Sequence, residues 1–155
     1  MPEITLIPVA IATFVALYLA VIDLRELRIP NRILFPGLAL SIAAMLGVTF
    51  ITGEFGALIR ALSGALLATA IFFTIHLLNP AGLGMGDVKF ASLIGLTLSW
   101  ISFPIGLLGL AISWFAAALY AVITLIIRGS RMNRLVPFGP FMLFGLLFVE
   151  FGLLL

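Results

Sequence analysis

The sequence predicts an all-α, polytopic membrane protein with about six transmembrane helices. Two observations lead to this prediction: 64% of the 155 residues are hydrophobic, and only 9% are charged. A soluble domain of this size needs far more polar surface to face water, so lipid must surround most of the chain. No linker-like stretch interrupts the apolar segments. Residues 1–155 are therefore predicted to form a single transmembrane domain.

The apolar segments have the lengths of membrane spans. A helix needs about 20 apolar residues to cross about 30 Å of hydrocarbon. The predicted spans are residues 4–22, 33–51, 57–78, 88–102, 103–127 and 138–155. The stretch 88–127 is too long for one helix and is divided near Ser102 and Pro104. The residues before the first segment include Glu3 and no Lys or Arg, and no cleavage site follows it, so we interpret it as a retained span rather than a signal peptide.

The distribution of cations predicts the orientation. The loops after the first, third and fifth predicted spans hold all but one of the basic residues: Arg25, Arg28, Arg32, Lys89, Arg128, Arg131 and Arg134. Only Arg60 lies on the opposite side. Because cytoplasmic loops carry an excess of Lys and Arg, we expect these loops to be cytoplasmic and the protein to be a multi-pass protein of the cell membrane. Asp23 and Asp87 then fall on the cytoplasmic side.

The composition also excludes several kinds of site. The chain has no cysteine, which excludes a disulfide framework, a thiolate metal site and a cysteine nucleophile. A single histidine argues against a histidine-based metal site, and a net charge of +2 gives no reason to expect nucleic acid as a partner. We therefore expect no metal and no cofactor.

Asp23 and Asp87 are the candidate functional residues, because ionisable groups near membrane depth are costly and usually functional. Each has a structural alternative when taken alone. Asp23 could pair with Arg25 or Arg28. Asp87, in the sequence Gly-Met-Gly-Asp, could be the N-cap of the fourth span.

Taken together, the two carboxyl groups fit peptide hydrolysis. One carboxylate can deprotonate the attacking water while the other carboxylic acid protonates the carbonyl oxygen, and two close carboxyls share a proton for this purpose. Asp23 lies at a helix C-terminus and Asp87 at a helix N-terminus, beside Lys89. These helix ends predict that Asp87 is the ionised base and Asp23 the protonated acid. Arg25 and Arg28 act against this assignment, since either could stabilise an ionised Asp23.

Three segments resemble one family. Residues 84–89, GMGDVK, are similar to the G-x-G-D motif of membrane aspartic proteases in the form typical of type IV prepilin leader peptidases. Residues 23–31, DLRELRIPN, and 136–141, VPFGPF, resemble that family's first catalytic segment and the segment before its last helix. The resemblance implies catalysis by Asp23 and Asp87. It also implies prepilin-like precursors as partners, with a short basic leader removed at the cytoplasmic face.

The absence of cysteine departs from the larger family members, which carry paired Cys-x-x-Cys motifs and an N-methyltransferase activity. The chain resembles the short forms of Tad/Flp-type pilus systems and of archaellin processing, and we expect no methyltransferase activity. Two alternatives stay open: a small transporter that uses the two carboxylates, and an inactive relative that acts as an assembly scaffold. The sequence leaves the oligomeric state undetermined.

A few other residues have weaker interpretations. Lys89 either orients Asp87 or anchors the chain at the headgroup level, and Glu26 is a candidate contact for a basic leader. His76 is interpreted as a packing residue, and Glu150 as a partner of Arg60 near the outer face. Small residues are expected to allow close helix contact in the third and fifth spans. They are Ala61, Gly64, Ala65 and Ala68, and Ala116, Ala117, Ala118 and Ala121.

Overall fold

The computed structural model describes residues 3–80, 82–128 and 137–154, and within these ranges the chain is helical, with no strand. After a short 3-10 turn, Glu3–Thr5, the six helices are α1 (Leu6–Glu26), α2 (Asn31–Thr52), α3 (Phe55–Leu78), α4 (Met85–Ile101), α5 (Phe103–Arg128) and α6 (Gly139–Leu154). Each predicted span corresponds to one helix. The helices α1, α2, α3 and α5 are long and apolar enough to cross a membrane. The predicted all-α, polytopic membrane fold is confirmed.

Helix α4 lies at the centre of the bundle and packs against every other α-helix. Its residues are buried on all sides from Leu93 to Trp100, as expected for a helix that is apolar around its whole circumference. It has 17 residues, which gives a length of about 25 Å, less than the thickness of the hydrocarbon layer. The predicted break before α5 is confirmed: Ser102 is extended and caps α4 through its backbone N–H.

Helices α3 and α4 make their closest approach at two glycines. A Cβ atom on Gly64 would collide with the Ser99 side chain and lie 2.8 Å from the carbonyl oxygen of Gly95. A Cβ atom on Gly95 would lie 2.6 Å from the carbonyl oxygen of Gly64. Ala61 and Ala68, on the same face of α3, are fully buried. Small residues therefore allow the contact predicted for the third span.

The prediction that small residues of the fifth span allow close helix contact is wrong for the described helices of this chain. Ala118 and Ala121 are exposed, and Ala116 and Ala117 are only half-buried. Helix α5 packs against α6 nearer its start instead, where a Cβ atom on Gly145 would collide with the carbonyl oxygen of Gly109. The alanines lie beyond this crossing point, where the described helices leave them exposed or only half-buried.

Two further predictions concern charged residues. Glu150 does not pair with Arg60, because its carboxylate accepts a hydrogen bond from the Thr13 hydroxyl of α1 at 2.7 Å, whereas Arg60 on α3 is exposed. Arg131, Arg134 and Val136, which the sequence places in a cytoplasmic loop and in the third motif, lie outside the described residues.

The contact between α3 and α4 predicts the effect of one added methyl group. Gly64→Ala forces Ser99 or the α4 backbone to move, and overpacking of this kind costs about 1–3 kcal/mol. We expect a lower temperature of thermal unfolding in detergent. Gly47→Ala is the matched control, because a Cβ atom on Gly47 of α2 has nothing within 4 Å and alanine favours a helix. Equal unfolding temperatures for the two variants would contradict the packing described.

Candidate active site

Asp23 lies in the last turn of α1 and is 4% exposed. The predicted first span ended at residue 22, whereas the helix continues to Glu26. Leu27 then ends the helix in the left-handed conformation, with φ 52°, and its N–H donates to the Asp23 carbonyl oxygen at 2.9 Å. This reversal directs the following residues back towards the bundle.

The carboxylate of Asp23 accepts a hydrogen bond from the backbone N–H of Gly139, with an N–Oδ2 distance of 2.9 Å. Gly139 is the first residue of α6, so its N–H is one of those that the helix leaves without an internal partner. A Cβ atom on Gly139 would lie 2.8 Å from Oδ2 and 3.1 Å from the Asp23 Cβ atom. Only glycine therefore permits this approach without a shift.

Asp87 is half-buried in the first turn of α4. Its Oδ2 accepts a hydrogen bond from the Gly84 N–H at 3.1 Å. The structural alternative, an N-cap role for Asp87, is wrong in position, because Gly84 is the N-cap and Asp87 is the third helical residue. Asp87 still performs part of that role, since it satisfies an N–H at the start of the helix and its charge complements the helix dipole.

The two carboxyl groups come together at one end of the bundle, which we call the Asp23 end: the end of α1 and the starts of α4 and α6. Ile29, six residues after Asp23, packs against Gly86, the residue before Asp87, so the two carboxyls lie close enough to interact electrostatically. Both carboxylates accept a backbone N–H at a helix N-terminus, Asp23 from α6 and Asp87 from α4. The field difference expected from the sequence is therefore smaller than predicted, because Asp23 lies at the start of α6 as well as at the end of α1.

The Ile-Pro-Asn segment between α1 and α2 packs on the first turn of α4. Ile29 is buried, and its Cβ would lie 3.2 Å from a Cβ atom added to Gly86. The Lys89 ammonium donates to Asn31 Oδ1 at 3.1 Å and lies 5.6 Å from the centroid of the Phe35 ring. Lys89 thus connects α4 to the start of α2, a role that the sequence interpretation did not include.

The arginines near Asp23 do not neutralise it. The ion pair that involves them joins Arg28 to Glu26 at 3.4 Å, and both side chains are exposed. The structural alternative, in which Asp23 pairs with Arg25 or Arg28, is therefore wrong. Glu26 lies at the surface of the Asp23 end. Among the described residues, no three His, Cys, Asp or Glu side chains come together as a metal ion would require.

An aromatic cluster that the sequence analysis missed supports Gly139. The ring of Phe138 packs against Trp114 of α5 and Phe72 of α3, with centroid distances of 5.0 and 5.8 Å. His76 of α3 contacts the loop that leads to Asp87, because its Nδ1 is 2.7 Å from the Leu83 carbonyl oxygen. The third motif, residues 136–141, contains Phe138 and could have drawn attention to it. Its partners Phe72 and Trp114 lie elsewhere in the chain, so the sequence did not reveal the cluster.

The approach of Gly139 to Asp23 predicts a position-specific cost on α6. Gly139→Ala places a methyl group against the Asp23 carboxylate, and we expect a loss of about 1–3 kcal/mol in the free energy of unfolding. Gly152→Ala is the control, because a Cβ atom there has nothing within 4 Å. Unfolding in detergent checks both variants, and a neutral Gly139→Ala would show that the close contact is absent.

Comparison with known proteins identifies relatives. The type IV leader peptidase family matches residues 10–127. A "Prepilin leader peptidase/N-methyltransferase" of Pseudomonas putida is 30% identical over 135 residues, which is 84% of this chain and 44% of that protein. A protein of the same name from Dichelobacter nodosus is 32% identical over 131 residues, 84% of this chain and 43% of that protein.

A shorter relative also matches: the "Leader peptidase HopD" of Escherichia coli is 36% identical over 88 residues, 53% of this chain and 55% of that protein. The chain spans less than half the length of the two bifunctional relatives. No solved structure matches. The family match covers both aspartates and most of the helical bundle, and the chain belongs to the type IV leader peptidase family.

Proposed function

We propose that the chain is a membrane aspartic endopeptidase that removes the leader from type IV prepilin-like precursors, with Asp23 and Asp87 as its catalytic pair. One observation carries the proposal: α1 and α4, far apart in the sequence, bring two carboxyl groups together at one end of a largely apolar bundle. The names of the relatives supply the reaction and the substrate class.

The proposed reaction uses one carboxylate and one carboxylic acid. The carboxylate removes a proton from water as the water oxygen attacks the carbonyl carbon of the scissile peptide bond. The acid donates its proton to the carbonyl oxygen, which gives a tetrahedral diol. When the carbon–nitrogen bond breaks, the first group returns its proton to the leaving amine and the second takes one back from the diol.

The surroundings of the two aspartates suit this cycle. Each carboxyl keeps one oxygen on a backbone N–H, which fixes its orientation without a side chain that could compete for the proton. The N–H groups stabilise negative charge, and the repulsion between the two carboxyls opposes a second ionisation. Because both aspartates have this kind of partner, the proposal leaves the acid and base roles unassigned between them.

The proposal is limited to the peptidase activity. The two bifunctional relatives carry a second activity in their names, and this chain matches less than half of each. The Escherichia coli relative is named as a leader peptidase alone.

We also propose that the Asp23 end faces the cytoplasm. Arg25, Arg28 and Arg32 are exposed there, and Lys89 lies beside them on α4. The opposite end has Glu54 and Arg60. Basic residues concentrated at one end favour a cytoplasmic location for that end. Glu26 lies at the surface beside the site, where it is a candidate contact for a basic leader.

Removing either carboxylate tests the catalytic pair. Asp23→Asn and Asp87→Asn keep the side-chain size but cannot exchange a proton, so each should reduce leader removal from a coexpressed prepilin by about a thousandfold or more. Glu54→Gln, at the opposite end, is the control and should cleave normally. Cleavage by both single mutants would show that the aspartyl mechanism is wrong.

Cysteine labelling tests the orientation, because the natural chain contains no cysteine. Arg28→Cys and Glu54→Cys place single thiols at exposed positions of opposite ends. A membrane-impermeant maleimide should label the thiol at position 54 in intact cells and the thiol at position 28 only after permeabilisation. The reverse pattern would place the Asp23 end outside the cell.

A further inference from the structure

Glu150 is an ionisable residue within α6 that the proposed reaction does not use. It lies eleven residues after Gly139, which places it about 16 Å along the helix from the Asp23 end. This is about half of the hydrocarbon thickness. Its Oε1 accepts a hydrogen bond from the Thr13 hydroxyl of α1 at 2.7 Å. A carboxyl group at this depth is costly, so a role is expected for it.

The contact joins the same two helices as the Asp23–Gly139 contact. Thr13 precedes Asp23 by ten residues, and Glu150 follows Gly139 by eleven. Because α1 and α6 run in opposite directions, these nearly equal separations put two polar contacts at two levels of one interface. Eleven residues are close to three helical turns, so Gly139 and Glu150 lie on the same face of α6.

The apolar contacts between these two helices give little control over their relative positions. Six buried residues of α1 and α6 belong to one apolar cluster: Ala12, Ala16, Leu19, Met142, Leu146 and Val149. Apolar contacts between helices in lipid lack the direction of a hydrogen bond. A slip of one residue would move α6 by about 1.5 Å and turn its face by about 100°, which would remove the Gly139 N–H from Asp23.

We propose that the Thr13–Glu150 hydrogen bond sets the register of α1 against α6 and thereby holds the Gly139 N–H on the Asp23 carboxylate. Glu150 is then a positioning residue that never touches the substrate. A single polar pair in an apolar helix interface fixes register in the same way in coiled coils. The geometric part of this inference is independent of the reaction, and its effect on catalysis rests on the proposed function.

Disulfide formation can measure the register without any activity. In the cysteine-free chain, Asp23→Cys with Gly139→Cys forms the reporter pair, since the two Cβ atoms would lie 3.1 Å apart, close to the separation that a disulfide needs. Ile29→Cys with Gly86→Cys is the control pair, with Cβ atoms 3.2 Å apart. The control pair joins α4 to the α1–α2 connection and does not depend on α6.

Each pair is combined with Glu150→Gln or Glu150→Leu, and the rate of oxidation is followed by mass spectrometry after alkylation. Glutamine keeps an oxygen that can accept from Thr13, so the reporter pair should oxidise within about twofold of the rate with Glu150. Leucine cannot accept, and we expect the reporter pair to oxidise about fivefold more slowly, with the control pair unchanged. Thr13→Val should act like Glu150→Leu, and Thr13→Ser like the natural residue.

Two results would overturn the inference. Equal reporter rates with the natural Glu150, with Glu150→Gln and with Glu150→Leu would show that the contact does not set the register. Equal slowing of the reporter and control pairs would show a general loosening of the bundle.

Leader removal provides the second readout. Glu150→Leu should lower kcat about fivefold or more with little change in KM, whereas Glu150→Gln should keep the kcat of the natural chain. The double variant Glu150→Leu with Gly139→Ala should lose less activity than the product of the two single losses. Fully additive losses would show that Glu150 and Gly139 act independently, which would contradict the proposal. If the natural chain cleaves no precursor while the oxidation rates follow expectation, the proposed function fails and the register inference stands.

Discussion

The hydrogen bond between Gly139 and Asp23 joins the last helix to the first at the end of the bundle where α4 begins. An N–H at a helix start and a carboxylate both need a partner where water is scarce, and each satisfies the other. The other helices pack around the same end of the bundle. Helices α1 and α6 cover one side of α4, α3 covers another across two glycines, and the connection from α1 to α2 returns over the first turn of α4.

The six helices were predictable because they depend on local properties of the sequence. The length of the apolar segments alone was enough to predict one helix for each of them. The most informative difference between prediction and structure is at the end of α1, which continues through Asp23 to Glu26. The shared end of the two aspartates was predictable from the same span count. The apolar chain leaves few positions for charges, so the arginines, the lysine and the aspartates near the span ends were conspicuous.

The surroundings of Asp23 were not predictable in this way. Its partner, Gly139, is 116 residues away, and a backbone N–H leaves no trace in a side-chain pattern. The helix-end argument treated α1 as isolated, although α6 brings an opposite field to the same carboxylate. The left-handed Leu27 was also not predictable, because such a backbone costs a leucine about 1–2 kcal/mol, and tertiary contacts such as that of Ile29 with Gly86 help to offset this cost.

Gly139 also has a consequence for how mutations at this site are interpreted. Every residue type except proline carries the N–H that binds Asp23, so no ordinary substitution removes the donor. What the position selects is the absence of a side chain, because one methyl group fills the space that the carboxylate occupies. A survey of side-chain functional groups would therefore pass over Gly139. The smaller the new side chain at this position, the better the substitution should be tolerated, whatever its chemical type.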